Sequence, residues 1–205
     1  MDELTAHRLI PVVVLNDAGR ADGLAQALVA GGLPVAEVTL RTAAGLLSIR
    51  TMAGRGDILV GAGTVTTADQ VDQVVDAGAS FIVSPGFTPA VVERAQHHGV
   101  PIVPGCVTPS EIMAALEMGI TTVKFFPAGV YGGPKAIKAL AAPFTGVQFI
   151  PTGGVSADNL GDYLGLSCVP AVGGSWMVPS AAIDAGNFDE VTRLTTQAVK
   201  AASAL

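Results

Sequence analysis

The chain has 205 residues, of which 14% are charged and 50% hydrophobic, and it carries a net charge of −6. That length suits one well-buried core and is short for two. The acidic balance argues against nucleic acid or an anionic membrane as partner, and any anionic small molecule needs local positive features to bind here.

Taken in chain order, apolar and β-branched runs occur at 9–15, 34–40, 58–62, 80–84, 101–104, 121–126, 147–151 and 168–172. Segments with helical spacing lie between them, such as 21–30 and 90–96. Strands alternating with helices of this length predict βαβ units and a parallel sheet. Eight units fit an α/β architecture of the (β/α)8 TIM-barrel type, in a single domain spanning 1–205. A doubly wound open sheet has the same beat, and closure is not readable from periodicity. A leucine-rich solenoid is excluded by the absence of an L-x-x-L-x-L pattern. Thr67-Ala68-Asp69 and Ser156-Ala157-Asp158 read as helix starts, and Gly31-Gly32 and Gly78 as helix ends. Charged residues fall well below the roughly 25% of an average protein, which predicts that sister subunits cover part of the surface.

The N-terminus has no basic region followed by an apolar stretch, so no signal peptide is apparent and a cytoplasmic location is expected. Tyr163 to Ile183 carries no charge and is long enough to span a bilayer. Pro170, Pro179 and three glycines interrupt it, so it reads as strand, turn and helix in a soluble protein. Cys106 and Cys168 lie in apolar, strand-like segments and read as buried free thiols.

In an α/β barrel the chemistry gathers at the C-terminal ends of the strands. The second predicted strand ends Glu37-Val38-Thr39-Leu40-Arg41, and alternation puts Glu37, Thr39 and Arg41 on one face. The third ends Gly61-Ala62-Gly63-Thr64, where the Thr64 hydroxyl can donate to a carboxylate or simply form a turn. The fourth ends Ser84-Pro85-Gly86, which shapes the mouth. The sixth places Lys124 within Thr122-Val123-Lys124-Phe125-Phe126. Lysine is rarely buried without a partner, and a desolvated amine is a nucleophile able to form Schiff bases with ketones. The other three lysines, Lys135, Lys138 and Lys200, fall in polar-flanked helical stretches. A lysine reaching from a strand end to water is the plainer alternative for Lys124. Glu37 is suited to general acid–base work and Arg41 to a bidentate carboxylate grip. A structural ion pair of Glu37 with Arg41 or Lys124 is the competing account.

Two glycine-rich turns, Pro151-Thr152-Gly153-Gly154-Val155 and Val172-Gly173-Gly174-Ser175-Trp176, follow the last two predicted strands. Barrels bind phosphate there through bare backbone N–H groups. His97-His98 follows a predicted helix and reads as solvated; His7 is near the terminus. No cluster of His, Asp and Glu stands at the strand ends, so no metal site is expected.

Together these residues resemble the 2-keto-3-deoxy-6-phosphogluconate aldolase family, class I aldolases of the Entner–Doudoroff pathway that include 4-hydroxy-2-oxoglutarate aldolases. The resemblance runs from about His7 onwards. It is carried by Glu37 to Thr42, Gly61 to Val65, Ile82 to Gly86, Lys124 to Ala128, Pro151 to Val155 and Gly173 to Trp176. It implies Lys124 as the Schiff-base lysine and Glu37 as an acid–base acting through water. Arg41 and Thr64 would then hold the substrate carboxylate, and Gly153, Gly154 and Ser175 the phosphate. Pro85, Phe126 and Thr152 would line the pocket. It further implies a phosphorylated keto-deoxy sugar acid and pyruvate as ligands, no metal or organic cofactor, and a homotrimer. An enzyme for the 6-phosphogalactonate epimer or for 4-hydroxy-2-oxoglutarate fits the same motifs. A non-catalytic phosphosugar-binding barrel needs neither Glu37 nor Lys124. The sequence departs from the family at Asn16, where relatives often carry a basic residue, and in a short segment ahead of the first strand.

Overall fold

The computed structural model describes residues 1–205, apart from the side chain of Asp2. Eight parallel strands form its centre: β1 (Leu9–Val13), β2 (Val35–Thr39), β3 (Leu59–Gly63), β4 (Phe81–Val83), β5 (Ile102–Val103), β6 (Thr122–Phe125), β7 (Gln148–Pro151) and β8 (Val172–Gly174). Continuous pairing joins β5, β4, β3, β2, β1 and β8 in that order, and β6 with β7. Single bridges close the two gaps, Gly105 to Lys124 between β5 and β6, and Thr152 to Gly173 between β7 and β8. With Ile10 registered against Gly173, the ring is complete and has no free edge. This excludes the open sheet.

The helices alternate with the strands: α1 (Asp2–Thr5), α2 (Ala21–Ala30), α3 (Gly45–Ala53), α4 (Ala68–Asp76), α5 (Pro89–His97), α6 (Pro109–Glu117), α7 (Gly133–Ala141), α8 (Leu160–Leu164), α9 (Ser180–Asp184) and α10 (Phe188–Ser203). Thr67 caps α4 through Gln70 N–H, as its position predicts. Thr108 and Glu111 cap α6 reciprocally, with Pro109 at the first turn. Among the described residues no helix is long and apolar enough to cross a membrane.

Four local expectations are corrected. The eighth strand is Val172–Gly174 rather than 168–172, so Gly173 and Gly174 belong to the strand and not to a turn after it. Glycine is needed there because a Cβ on Gly173 would overlap the Thr152 hydroxyl, and one on Gly174 the Trp176 ring. Cys106 and Cys168 therefore lie outside strands, and Cys168 is only half-buried. Ser156 does not start a helix, because Asn159 engages that turn and α8 begins only at Leu160. His98 is not free in solvent, since its Nε2 lies 2.6 Å from Asp72 Oδ1.

The short segment before β1 still closes the bottom of the barrel. Leu4, on α1, is buried and lines a void of about 10 Å³ together with Ile10, Val83, Val103 and Ile150 from the strands. Arg8 donates to Leu164 O at 3.1 Å and to Ala202 O at 3.2 Å, satisfying carbonyls at the C-terminal ends of α8 and α10. On the flank, Arg94 and His98 converge on Asp72 and tie α5 to α4. The Arg94 guanidinium, and then His98, hold the Asp72 carboxyl well below the usual range, at about 2.

A carboxyl lowered on folding stabilises the fold above its unfolded pKa and ceases to do so as the pH falls through its folded one. The stability gap between the native chain and Asp72→Asn, measured by urea unfolding, should therefore close progressively as the pH is lowered from 3.8 to about 2. A gap that is unchanged across that window would remove Asp72 from the clamp.

Candidate active site

The inward faces of the strands assemble the site. Lys124 Nζ donates to Glu37 Oε1 at 3.0 Å, and both side chains are about 95% buried, with 5% and 4% exposure. Of the alternatives open in the sequence, the lysine reaching water is excluded, and the partner of Glu37 is Lys124 rather than Arg41. The pair sits on the seam where the ring closes: Lys124 N–H donates to Pro104 O at 2.8 Å, and its carbonyl accepts from Cys106 N–H at 2.9 Å. Both termini of this peptide unit are thus held, so the amine has a defined origin. The Phe126 ring lies over it, 5.2 Å from Nζ to centroid.

Above the pair opens a cavity of about 340 Å³, lined by Arg41, Phe126, Thr152, Gly153, Gly154 and Ser175, with Val12, Val14, Val178 and Ser180 completing the wall. Thr152 also lines the small void beside Glu37 and Lys124, so it links the cavity floor to the ion pair. Its hydroxyl is buried and has no hydrogen-bond partner within the chain.

Arg41 lies in the turn beyond β2 and is exposed. Among the described residues no carboxylate comes within ion-pair distance of it. The turn itself is tied down. Thr39 Oγ1 donates to Val13 O at 2.9 Å, and Thr42 Oγ1 donates to Leu15 O, so two hydroxyls pin the end of β2 to β1. Arg41 is the one charged group of the cavity lining, and it is free to meet an anion.

At the opposite wall Gly153 and Gly154 have φ of +86° and +81°, a region open to glycine and costly for other residues. Gly129 N–H donates to Gly153 O at 2.9 Å, which seats this turn on the loop after β6. Asn159 Nδ2 donates to Gly154 O at 2.8 Å and its Oδ1 accepts from Ser156 N–H, so one side chain clips the glycine turn shut. Asn159 escaped the sequence reading; its only signal was a position five residues past a Gly-Gly. The wall residues Val12 on β1, Val14 and Val178 in loops and Ser180 at the start of α9 escaped it too, since nothing in their local sequence marks them as facing a mouth.

Thr64 and Pro85 end β3 and β4 but are not among the residues lining the cavity. Thr64 is half-buried with φ +62°, a strained backbone for a β-branched residue. Ser84 Oγ donates to Gly86 O at 2.5 Å and tightens the loop that carries Pro85. Asn16 donates to both carboxylate oxygens of Asp184, at 3.2 and 3.0 Å. Cys106 takes no part in this chemistry: burial pushes its thiol up to about 12. Among the described residues no group of three or more His, Cys, Asp and Glu side chains converges as a metal site would require.

Known proteins are similar in sequence and shape. The family model for KDPG and KHG aldolase matches residues 1–194. A 2-dehydro-3-deoxy-phosphogluconate aldolase of Treponema pallidum is 48% identical over 200 residues, covering 97% of this chain and 95% of that protein. The KDPG aldolase of Legionella pneumophila, crystallised with pyruvate captured at low pH as a covalent carbinolamine intermediate, superposes with a TM-score of 0.92 at 42% identity over 95% of each chain. The 2-keto-3-deoxy-6-phosphogluconate aldolase of Zymomonas mobilis ZM4, solved with 3-phosphoglycerate, gives 0.90 at 38% identity, covering 97% of this chain and 95% of that one. A family match over nearly the whole chain and a barrel that superposes closely on those structures lead to one conclusion: the chain belongs to the KDPG and KHG aldolase family.

Proposed function

We propose that this chain is a class I aldolase that cleaves 2-keto-3-deoxy-6-phosphogluconate reversibly to pyruvate and glyceraldehyde 3-phosphate. The observation that carries this reading is the buried Lys124–Glu37 pair, beneath a cavity with a free guanidinium on one wall and a glycine turn on the other. The covalent adduct of pyruvate in the Legionella relative supports it.

A nucleophile must be an uncharged amine. Transfer of a proton from Lys124 to Glu37 along their hydrogen bond removes two buried charges at once, which a low-dielectric interior favours. The amine then adds to the C2 ketone, and Glu37 returns its proton to the carbinolamine hydroxyl, which leaves as water and gives the protonated imine with Glu37 again a carboxylate. Arg41, whose fork is unoccupied, holds the C1 carboxylate. Glu37, through a water, takes the C4 hydroxyl proton as the C3–C4 bond breaks. The bond electrons pass to the iminium nitrogen, giving the enamine of pyruvate, and glyceraldehyde 3-phosphate departs. Protonation at C3 and hydrolysis release pyruvate and restore Lys124. The imine is the electron sink, so the reaction as written draws on no metal or organic cofactor.

The phosphate rests against Gly153, Gly154 and Ser175, with Phe126 and Thr152 shaping the space between the two anions. Backbone N–H groups suit this in a protein whose net charge is −6, since they attract phosphate without adding side-chain cations. The whole of 1–205 acts as one barrel domain. A homotrimer is supported by the sparse surface charge and by exposed Leu47, Met113, Val130 and Tyr131, which a partner subunit would cover. Two cysteines left as free thiols suit a reducing cytoplasm.

Borohydride added with pyruvate should inactivate the protein and label Lys124, as read by peptide mapping; a label on Lys135 or Lys138 would sink the assignment. Glu37→Gln should still be trapped yet turn over about 10²–10⁴-fold more slowly. Cleavage rates on the two epimeric phosphorylated substrates and on 4-hydroxy-2-oxoglutarate decide which acid is preferred.

Gly154→Ala should lower kcat/KM for the phosphorylated substrate while leaving pyruvate trapping intact, because a side chain at φ +81° is strained and its Cβ presses on Gly129 at 3.2 Å, which shifts the turn at the phosphate end. An unchanged kcat/KM in the folded variant would place the phosphate elsewhere. Sedimentation equilibrium should return the mass of three chains; a monomer at micromolar concentration would overturn the trimer.

A further inference from the structure

Gly63 closes β3 immediately before Thr64, and its backbone does not call for glycine. Its φ lies outside the left-handed region, unlike that of Gly32, Gly56, Gly99 and Gly119, which turn the chain in open space. What Gly63 lacks room for is a side chain. A Cβ built on it would overlap Glu37 Oε1 and stand 2.7 Å from Glu37 Cγ and 2.9 Å from Cδ. Those are the three nearest atoms, and all belong to Glu37. The oxygen it would strike is the one that accepts from Lys124 Nζ.

We infer that Gly63 is a positioning residue, whose missing side chain is the slot in which the Glu37 carboxylate lies to reach Lys124. This rests on the reading of Glu37 as the general acid–base of the proposed reaction.

The register explains how the slot arises. Glu37 pairs with Gly61, and Thr39 with Gly63, so the carboxylate extends diagonally across the inward face of β3 towards the residue two further on. β3 offers no inward side chain at either position. Gly61 leaves space for the Phe81 ring from β4 in the same way. A rigid strand with two glycines on its inner face thus lets its neighbours on both sides lie over it.

With alanine at 63, either the backbone or Glu37 has to move. β3 is registered to β2 at five positions and to β4 at two, with Leu40 N–H donating to Gly63 O at 2.9 Å. Glu37 is held at its far end by one hydrogen bond. Rotating a glutamate side chain is the easier motion, so the carboxylate leaves Lys124 while the barrel stays closed.

The test is a double-mutant cycle with a structure. Gly63→Ala should fold, lose kcat about 10²-fold or more, in the range for removing a general acid–base, and keep KM within a few-fold because Arg41 is untouched. In a Glu37→Ala background the same change should cost less than about twofold, since the atoms it displaces are gone. An equal loss in both backgrounds, or activity within about threefold of native for Gly63→Ala alone, overturns the proposal. Should Glu37→Ala itself prove active, the reading of Glu37 fails and the slot is judged by the crystal structure of Gly63→Ala. A carboxylate moved beyond hydrogen-bond distance of Nζ supports the slot, and one that has not moved overturns it. If Gly63→Ala does not fold, a folded Gly63→Ala/Glu37→Ala double variant supports the slot, and an unfolded one overturns it.

Discussion

Everything at the centre of this barrel is arranged around one buried ion pair, Lys124 with Glu37 at 3.0 Å. Two opposite charges in an apolar interior are a poor source of stability, because desolvating them costs about what their attraction returns. Removing one partner is worse, with losses of about 3–5 kcal/mol typical for a buried charge left alone. The pair is therefore a constraint on the surrounding residues. The lysine backbone is fixed on both sides by the seam between β5 and β6, the carboxylate lies in the space left by Gly63, and Phe126 covers the amine.

Outward from the pair, the cavity is divided by charge. Arg41 stands on the cavity wall in a turn pinned by Thr39 and Thr42, and among the described residues no carboxylate lies within ion-pair distance of it. Among the described residues the rest of the lining has no ionic side chain and presents glycine backbone, Ser175 and Ser180 instead. In the proposed reaction the substrate carboxylate meets the guanidinium and the phosphate the glycine turn, an arrangement that would carry the reactive carbon to the amine. Asn159 stands outside the cavity, but by bonding Gly154 O and Ser156 N–H it keeps the turn in a single shape.

Much of this was legible in local patterns. The strand beat marked seven of the eight strands within a residue or two, since a strand buried on both faces reads as a continuous apolar run. The eighth slipped by four residues at its start because Cys168, Val169 and Ala171 are as apolar as Val172, while Gly173 and Gly174 look like a turn. Only the neighbouring Thr152 and Trp176 side chains reveal why glycine stands inside a strand there. His98 was misplaced for a similar reason: its partner Asp72 is 26 residues away on another helix.

Local sequence pattern was enough to show that a lysine lies in an apolar strand, that another strand carries an acid with an arginine just past its end, and that a glycine pair follows the seventh strand. These are properties of consecutive residues, and the two-residue period of a strand is enough to read them. The tertiary structure alone decided that Lys124 meets Glu37, 87 residues away, instead of water or Arg41. It also decided that the sheet closes, that Gly63 makes room for a carboxylate, and that Thr64 stands off the cavity wall. The physical reason is that each of these depends on the register between strands, which is set by closing the ring and packing its interior, and no stretch of consecutive residues encodes that distance.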